Sequence, residues 1–159
     1  MIQSVVTHRG IIYPWQCDHM GHMNVMWYTA KFDEASWQML SRVGLSRARM
    51  QREAIGMAAV EQHLQYKREL RAGDAITVRS SILEVNDKSV RVSHELRNDE
   101  TGEVAAVAVI VAVHIDAIAR KAQPLPEDVR ARALRTESLV DALYYEDSFE
   151  SLEMAMRNA

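Results

Sequence analysis

Apolar positions change their period along the chain. Val25, Tyr28, Phe32, Ala35, Met39 and Val43 recur at spacings of three and four, which makes one stripe of a helix. Lys31, Asp33, Glu34 and Gln38 fall mostly off that stripe. Asn24 suits the N-cap, where a short side-chain oxygen accepts from a free backbone N–H. Gly44 suits the position just past the helix end, where a left-handed residue is common. Ser46 is expected to cap a second short helix over Arg47 to Ala54. Upstream, Ser4 to Tyr13 is rich in strand formers until Pro14 ends it. Trp15 to Asn24 is short, polar and contains one glycine, the pattern of a loop.

From Gly56 the period becomes two. Met57 to Leu70 predicts a long strand, followed by a turn at Arg71-Ala72-Gly73-Asp74. Ile76, Val78, Ser80 and Ile82 share one face of the next strand. Asn86-Asp87-Lys88 is a hairpin turn. Val90, Val92, His94 and Leu96 share one face of the strand after it. Val104 to Ile115 is almost continuously apolar, as a central strand covered on both faces should be. Pro126, Glu127 and Asp128 start a helix to about Arg135, and a further helix is expected near Phe149 to Met156. A long striped helix and a meandering sheet must bury each other's apolar faces. The expected fold is therefore α+β, a curved antiparallel sheet wrapped around one long helix. Such a layer has open edges, so a homodimer or homotetramer is expected.

The length of 159 residues predicts one domain. With 48% hydrophobic and 26% charged residues, disorder is excluded as the main state. The longest apolar run, Val104 to Val113, is too short to span a membrane as a helix. Met1 to Tyr13 lacks a basic region followed by an apolar stretch, so no signal peptide and a cytoplasmic location are expected. The one cysteine, Cys17, excludes an intramolecular disulfide and has no adjacent Lys or Arg to activate it, so it reads as a small hydrophobe. The net charge of −3 gives no basic excess for nucleic acid. It is uneven: six acids and one base between Thr136 and Ala159 leave the rest of the chain mildly basic. A mildly basic body suits a phosphate-bearing small molecule.

The loop Asp18-His19-Met20-Gly21-His22-Met23-Asn24 concentrates the chemistry, and its residues admit three interpretations. Asp18 and Asn24 could simply cap the loop and helix. His19-x-x-His22 beside Cys17 and Asp18 offers zinc-type ligands, although structural zinc spacing usually brings a second pair. Alternatively, the carboxylate of Asp18 is aimed at a helix N-terminus, whose free N–H groups polarise a carbonyl and stabilise an oxyanion. The carboxylate would then attack the carbonyl or activate water.

Asp18-x-x-Gly21, then His22-x-Asn24 and Tyr28 leading into a helix with Phe32, Glu34 and Ala35, resembles the 4-hydroxybenzoyl-CoA thioesterase family of hotdog folds. Tyr66 with Leu70-Arg71-Ala72-Gly73-Asp74 is similar to that family's strand ending in a Gly-Asp turn, and Pro124-Leu125-Pro126 to its C-terminal end. The resemblance covers about residues 3–135. It implies a single hotdog domain over 1–135, with 136–159 as an acidic extension. It also implies acyl-CoA thioester hydrolysis by water, without metal or organic cofactor. Asp18 would supply the catalytic carboxylate and the backbone N–H of Val25 the oxyanion contact. His22 and Asn24 would shape the pocket, with Tyr28 packed beneath. Many relatives carry a second Asn where this chain has Val25; a backbone N–H survives that difference, a side-chain contact to the acyl group does not. The Asp-x-Asn-Pro-x-His string of hotdog hydratases and the His-Phe-Pro string of the dehydratases of fatty-acid synthesis are both missing from the sequence.

Further residues carry weaker expectations. His63, in phase with Glu61, is either a surface or satisfied sheet histidine or a pocket residue supplied by the neighbouring subunit. Glu34 and Asp33 could offer a helix carboxylate, though surface charge is the simpler role. Lys67, Arg68 and Arg71 could meet CoA phosphates. Met20, Met23 and Met26 could line a flexible acyl pocket. Trp15, Trp27 and Trp37 are expected in the core or at an interface. The rival from another class is a non-catalytic acyl- or ligand-binding hotdog module, which has no need of a carboxylate at Asp18.

Overall fold

A computed structural model describes residues 4–136. Strand β1 (Val5–Ile11) leads through a single 3-10 turn (Pro14–Gln16) and a loop to α1 (Val25–Arg42). Helix α2 (Arg47–Glu53) and strands β2 (Ile55–Tyr66), β3 (Ala75–Val85), β4 (Ser89–Asn98) and β5 (Val104–Asp116) follow. A two-residue strand β6 (Lys121–Ala122) and helix α3 (Glu127–Thr136) complete the described chain. The sheet is antiparallel with the order β1-β3-β4-β5-β2, and β6 pairs with β5. Register shifts fall between Val6 and His8, Ala59 and Glu61, Ile82 and Glu84, and Leu96 and Arg97. Bulges of this kind bend a strand and sharpen its twist, which lets one sheet curl around a helix.

The caps form where the sequence places them. The Asn24 side chain accepts from Met26 N–H, and that of Ser46 from Arg49 N–H. Gly44 sits at φ +93°, where only glycine is at ease. The stripe of α1 buries Tyr28, Phe32, Ala35 and Met39. Its N-terminal half packs on Ile76, Val78, Leu96 and Ala108, and its C-terminal half on Ile82, Val90, Val92 and Met50. Leu125 and Val129 close the second half, held there by Arg49, which pairs with Asp128 through two bonds of 2.7 and 2.9 Å.

Several expectations change. Val25 does not belong to the buried stripe: it is 55% exposed, because it opens the helix beyond the sheet's cover. Lys31, expected off the stripe, is buried. It occupies space beside His8 that the missing side chain of Gly10 leaves open. Strand β2 ends at Tyr66 instead of Leu70, since the N–H groups of Lys67 and Arg68 both turn to the Ala105 carbonyl and the ladder stops. Trp15 (67% exposed) and Trp37 (48%) lie outside the core, and only Trp27 packs against it. Met23 is a core residue, whereas Met20 and Met26 are exposed. Strand β6 was not foreseeable from a two-residue pattern. The helix expected near Phe149 to Met156 lies outside the described residues.

Candidate active site

The loop between β1 and α1 is held at both ends. Gln16 is buried; its side-chain oxygen accepts from Tyr13 N–H at 2.9 Å and its carbonyl from Asn24 N–H at 2.9 Å. Met23 N–H reaches the Leu70 carbonyl, which seats the loop on the segment after β2. Between these anchors Asp18 N–H donates to the His22 carbonyl at 3.1 Å, and Gly21 N–H to the Asp18 carbonyl at 2.9 Å. Gly21 takes φ +80°, so the turn closes without strain.

This folding delivers the half-buried Asp18 carboxylate to the start of α1. One oxygen accepts from Met20 N–H at 2.9 Å and the other from Asn24 Nδ2 at 3.2 Å. The Met20 N–H, joined by the Asn24 side chain and the nearby His22 and His19, holds the carboxyl below the usual carboxylate range against its partial burial. The group is therefore ionised near neutral pH. Asn24 does two things at once: its Nδ2 holds Asp18 and its Oδ1 caps the helix at Met26 N–H, 3.0 Å away. The capping interpretation of the loop is thus correct as far as it goes, and the capping geometry itself brings the carboxylate in. The next residue, Val25, is first in the helix, and its N–H makes no hydrogen bond among the described residues. An ionised carboxylate is thus bonded to the residue that precedes this helix N-terminal donor.

The surrounding residues form a shelf. His22 Nε2 lies 3.5 Å from Glu69, which also lies 3.7 Å from Arg71. Tyr28 is buried and donates to the Arg68 carbonyl at 3.2 Å, edge-on to Tyr66 at 5.1 Å; burial pushes its phenol up to about 12. Lys67, Arg68 and Arg71 are exposed along this shelf, and Arg68 meets Glu103 at 3.4 Å. His63 lies on the exposed stretch of β2 at the sheet edge. Asp33 and Glu34 are exposed on α1, and Glu34 pairs with His8 at 2.9 Å. Among the described residues no group of three or more His, Cys, Asp or Glu side chains is placed to hold a metal ion. No described helix is long and apolar enough to cross a membrane.

A cavity of about 630 Å³ lies between α1, α2 and the sheet. Its one buried polar wall is a relay the loop motif did not reveal. His94 Nε2 meets Ser36 Oγ at 3.0 Å, its Nδ1 meets Ser80 Oγ at 2.6 Å, and Ser80 meets Thr7 at 2.6 Å. Burial lowers the His94 pKa to about 4, so the imidazole is neutral. The only sequence signal for this was parity: His94 shares the inward face of β4 with Val90, Val92 and Leu96.

The chain matches the thioesterase-like superfamily over residues 12–133. It is 23% identical over 142 residues to a betainyl-CoA thioesterase of Pseudomonas aeruginosa, spanning 89% of this chain and 87% of that protein. It is 28% identical over 131 residues to the long-chain acyl-CoA thioesterase FadM of Escherichia coli, spanning 82% and 96% respectively. A Staphylococcus aureus protein solved in complex with CoA has the same fold, with a TM-score of 0.79 at 22% identity over 88% of this chain and 90% of that one. The chain therefore belongs to the thioesterase-like superfamily and is a thioester hydrolase of the hotdog fold.

Proposed function

We propose that this member of the superfamily hydrolyses acyl-CoA thioesters, with Asp18 as the catalytic carboxylate. One observation carries the mechanism: an ionised Asp18 is held by Asn24 at the mouth of α1, next to the N–H of Val25, which is unpaired among the described residues. A thioester carbonyl oxygen accepting from Val25 N–H would be polarised by that donor and by the partial positive charge of the helix start. Asp18 then acts in one of two ways. As nucleophile it bonds to the carbonyl carbon and expels the thiolate, and water cleaves the resulting anhydride. As general base it takes a proton from water, which attacks the same carbon. Either route ends in a carboxylic acid and free CoA thiol, with no metal or organic cofactor required.

The CoA part of this assignment is supported by the two curated relatives, both named for CoA thioesters. Lys67, Arg68 and Arg71 are exposed on the shelf beside the loop, in keeping with contacts to the CoA phosphates. His22 and Tyr28 shape the shelf, and His63 would enter the pocket from a neighbouring subunit across the β2 edge. Residues up to about 135 constitute the catalytic domain, and the acidic extension lies outside it.

Asp18→Asn is nearly isosteric and keeps an acceptor for Met20 N–H. It should lower kcat by roughly 10²–10⁴, the usual scale for an acid–base group, with an unchanged melting profile. Wild-type turnover in the folded variant would refute the mechanism.

A further inference from the structure

The 3-10 turn before the Asp18 loop puts two aromatic rings on the surface in a fixed arrangement. Tyr13 and Trp15 stack with ring centroids 4.3 Å apart and planes 8° from parallel. Both are exposed, Tyr13 by 45% and Trp15 by 67%. One face of the indole lies on Tyr13, so the exposure of Trp15 falls largely on its other face. The backbone under the stack is rigid. Pro14 has its φ fixed by its ring. Gln16 is buried, its side chain accepts from Tyr13 N–H at 2.9 Å, and its own N–H donates to the Tyr13 carbonyl at 2.9 Å. A ring pair held in this way takes a third ring with little further loss of conformational freedom.

The stack stands between a basic turn and the reacting groups. On one side, Ile12 N–H donates to the Asp74 carbonyl at 2.9 Å and Gly73 N–H to the Ile12 carbonyl at 2.8 Å. These bonds tie the residue before Tyr13 to the turn that carries Arg71. On the other side, the Gln16 carbonyl accepts from Asn24 N–H at 2.9 Å, which ties the residue after Trp15 to the N-cap of α1. Trp15 and Asp18 are three residues apart, about 11 Å at most between Cα atoms. Glu69 is shared between His22 at 3.5 Å and Arg71 at 3.7 Å, and Glu103 meets Arg68 at 3.4 Å. Lys67 has no carboxylate partner among the described residues. A flat aromatic face with cations beside it is the combination that binds a nucleotide, because the base stacks and the phosphates pair.

We propose that the Tyr13–Trp15 stack is an adenine platform: the open face of the indole takes the base of CoA, so the enzyme draws its acyl groups from the free nucleotide carrier and not from a pantetheine arm fixed to a carrier protein. The proposal rests on the acyl-CoA assignment above and adds the choice of carrier. The short separation of Trp15 from Asp18 requires CoA to bind folded, with base and thioester on neighbouring parts of one surface. Stacking accepts any base, so the phosphates meeting Lys67 and Arg71 supply the remaining selectivity.

The test is calorimetric binding of adenosine 3′,5′-bisphosphate, CoA and pantetheine to the wild type and to Trp15→Ala. The bisphosphate carries the base and its phosphates without the arm, and its binding is read whether or not the protein cleaves any acyl-CoA. Trp15→Ala should weaken the bisphosphate and CoA about 5- to 100-fold, the range for removing an aromatic ring from under a stacked base. Pantetheine binding should change less than about twofold. Trp15→Phe keeps a π-face and should recover most of the loss. Trp15→Leu, which keeps bulk without a π-face, takes the place of the alanine variant if that one fails to fold. In turnover, the ratio of kcat/KM for butanoyl-CoA to that for S-butanoylpantetheine should fall by the same factor in Trp15→Ala. Bisphosphate that binds the wild type no better than Trp15→Ala, or that does not bind the wild type, overturns the platform and leaves the thioesterase assignment standing. So does a Trp15→Ala protein that falls to smaller oligomers while keeping wild-type affinity for CoA, since the stack would then be an interface between copies of this chain.

Discussion

Asn24 carries two duties that separate cleanly by substitution. Asn24→Ala removes the cap on Met26 N–H and the donor to Asp18. The lost cap should cost about 1 kcal/mol of stability, read as a lower midpoint in urea, and kcat should fall because Asp18 is no longer held. Asn24→Asp is more informative. It restores an acceptor at the N-cap, so stability should return close to wild type. It also puts a second carboxylate beside Asp18, where Nδ2 now stands at 3.2 Å. Like charge raises a carboxyl pKa. Wild-type kcat/KM should stay flat from neutral pH down into the ordinary carboxylate range, because Asp18 is held below it. In Asn24→Asp the acid limb should move to higher pH. An unmoved limb would mean that Asp18 does not set the profile.

At the scale of elements, the end of α1 and the relay beneath it are the sensitive points. Gly44 at φ +93° lets the chain turn from α1 to α2. An added Cβ there would also come within 2.8 Å of Arg132 Nη1, the end of a side chain that can swing away. Gly44→Ala should therefore cost about 1–2 kcal/mol, mainly from the left-handed backbone, and lower Tm by roughly 2–8 °C. Gly56→Ala, where the nearest atom is Ile115 Cγ1 at 3.6 Å, should cost less. The relay adds a dependence on pH. His94 has a folded pKa of about 4 against 6.5 unfolded. The unfolded chain therefore takes up the proton first as pH falls, and stability drops between pH 6.5 and 4 and then levels off. At about 1.4 kcal/mol per unit the loss is about 3 kcal/mol. His94→Gln should start less stable at pH 7.5 but lose less by pH 4.5, since the carboxylates common to both proteins cancel in the comparison. Equal losses by urea unfolding would show that His94 does not titrate as its burial requires.

At the scale of the whole molecule, the open edge of β2 is the outstanding feature. Ala59 to His63 is exposed, with Val60 at 63%, and among the described residues β2 pairs only with β5. An apolar residue on an unpaired edge favours pairing with another chain. A two-fold dimer joining β2 to its copy would extend the sheet and bring the partner's His63 toward the cavity, whose lining includes Ala59 and Gln62 on that strand. Light scattering at micromolar concentration should give at least a dimer, and Val60→Lys should weaken it. A wild-type monomer would contradict this and leave the edge without a partner.

Much was legible in the sequence because it is local. Helix period, caps, turns and strand alternation depend on neighbours within a few residues, so α1, Asn24, Gly44, the hairpins and the start of α3 follow from the chain alone. The Asp18-to-Asn24 string marked the loop for the same reason: its residues converge within a single turn. What depended on distant neighbours was not legible. Lys31 is buried because Gly10, on β1, leaves room beside it; Val25 is exposed because the sheet's cover stops short; β2 ends early because the Ala105 carbonyl draws its last two amides away. The His94 relay joins β1, β3, β4 and α1, residues 7, 80, 94 and 36, and parity alone could say only that His94 points inward. The cavity needed the tertiary structure most. Its walls come from two helices and four strands, and whether their side chains meet or leave space is decided only when the sheet closes over α1.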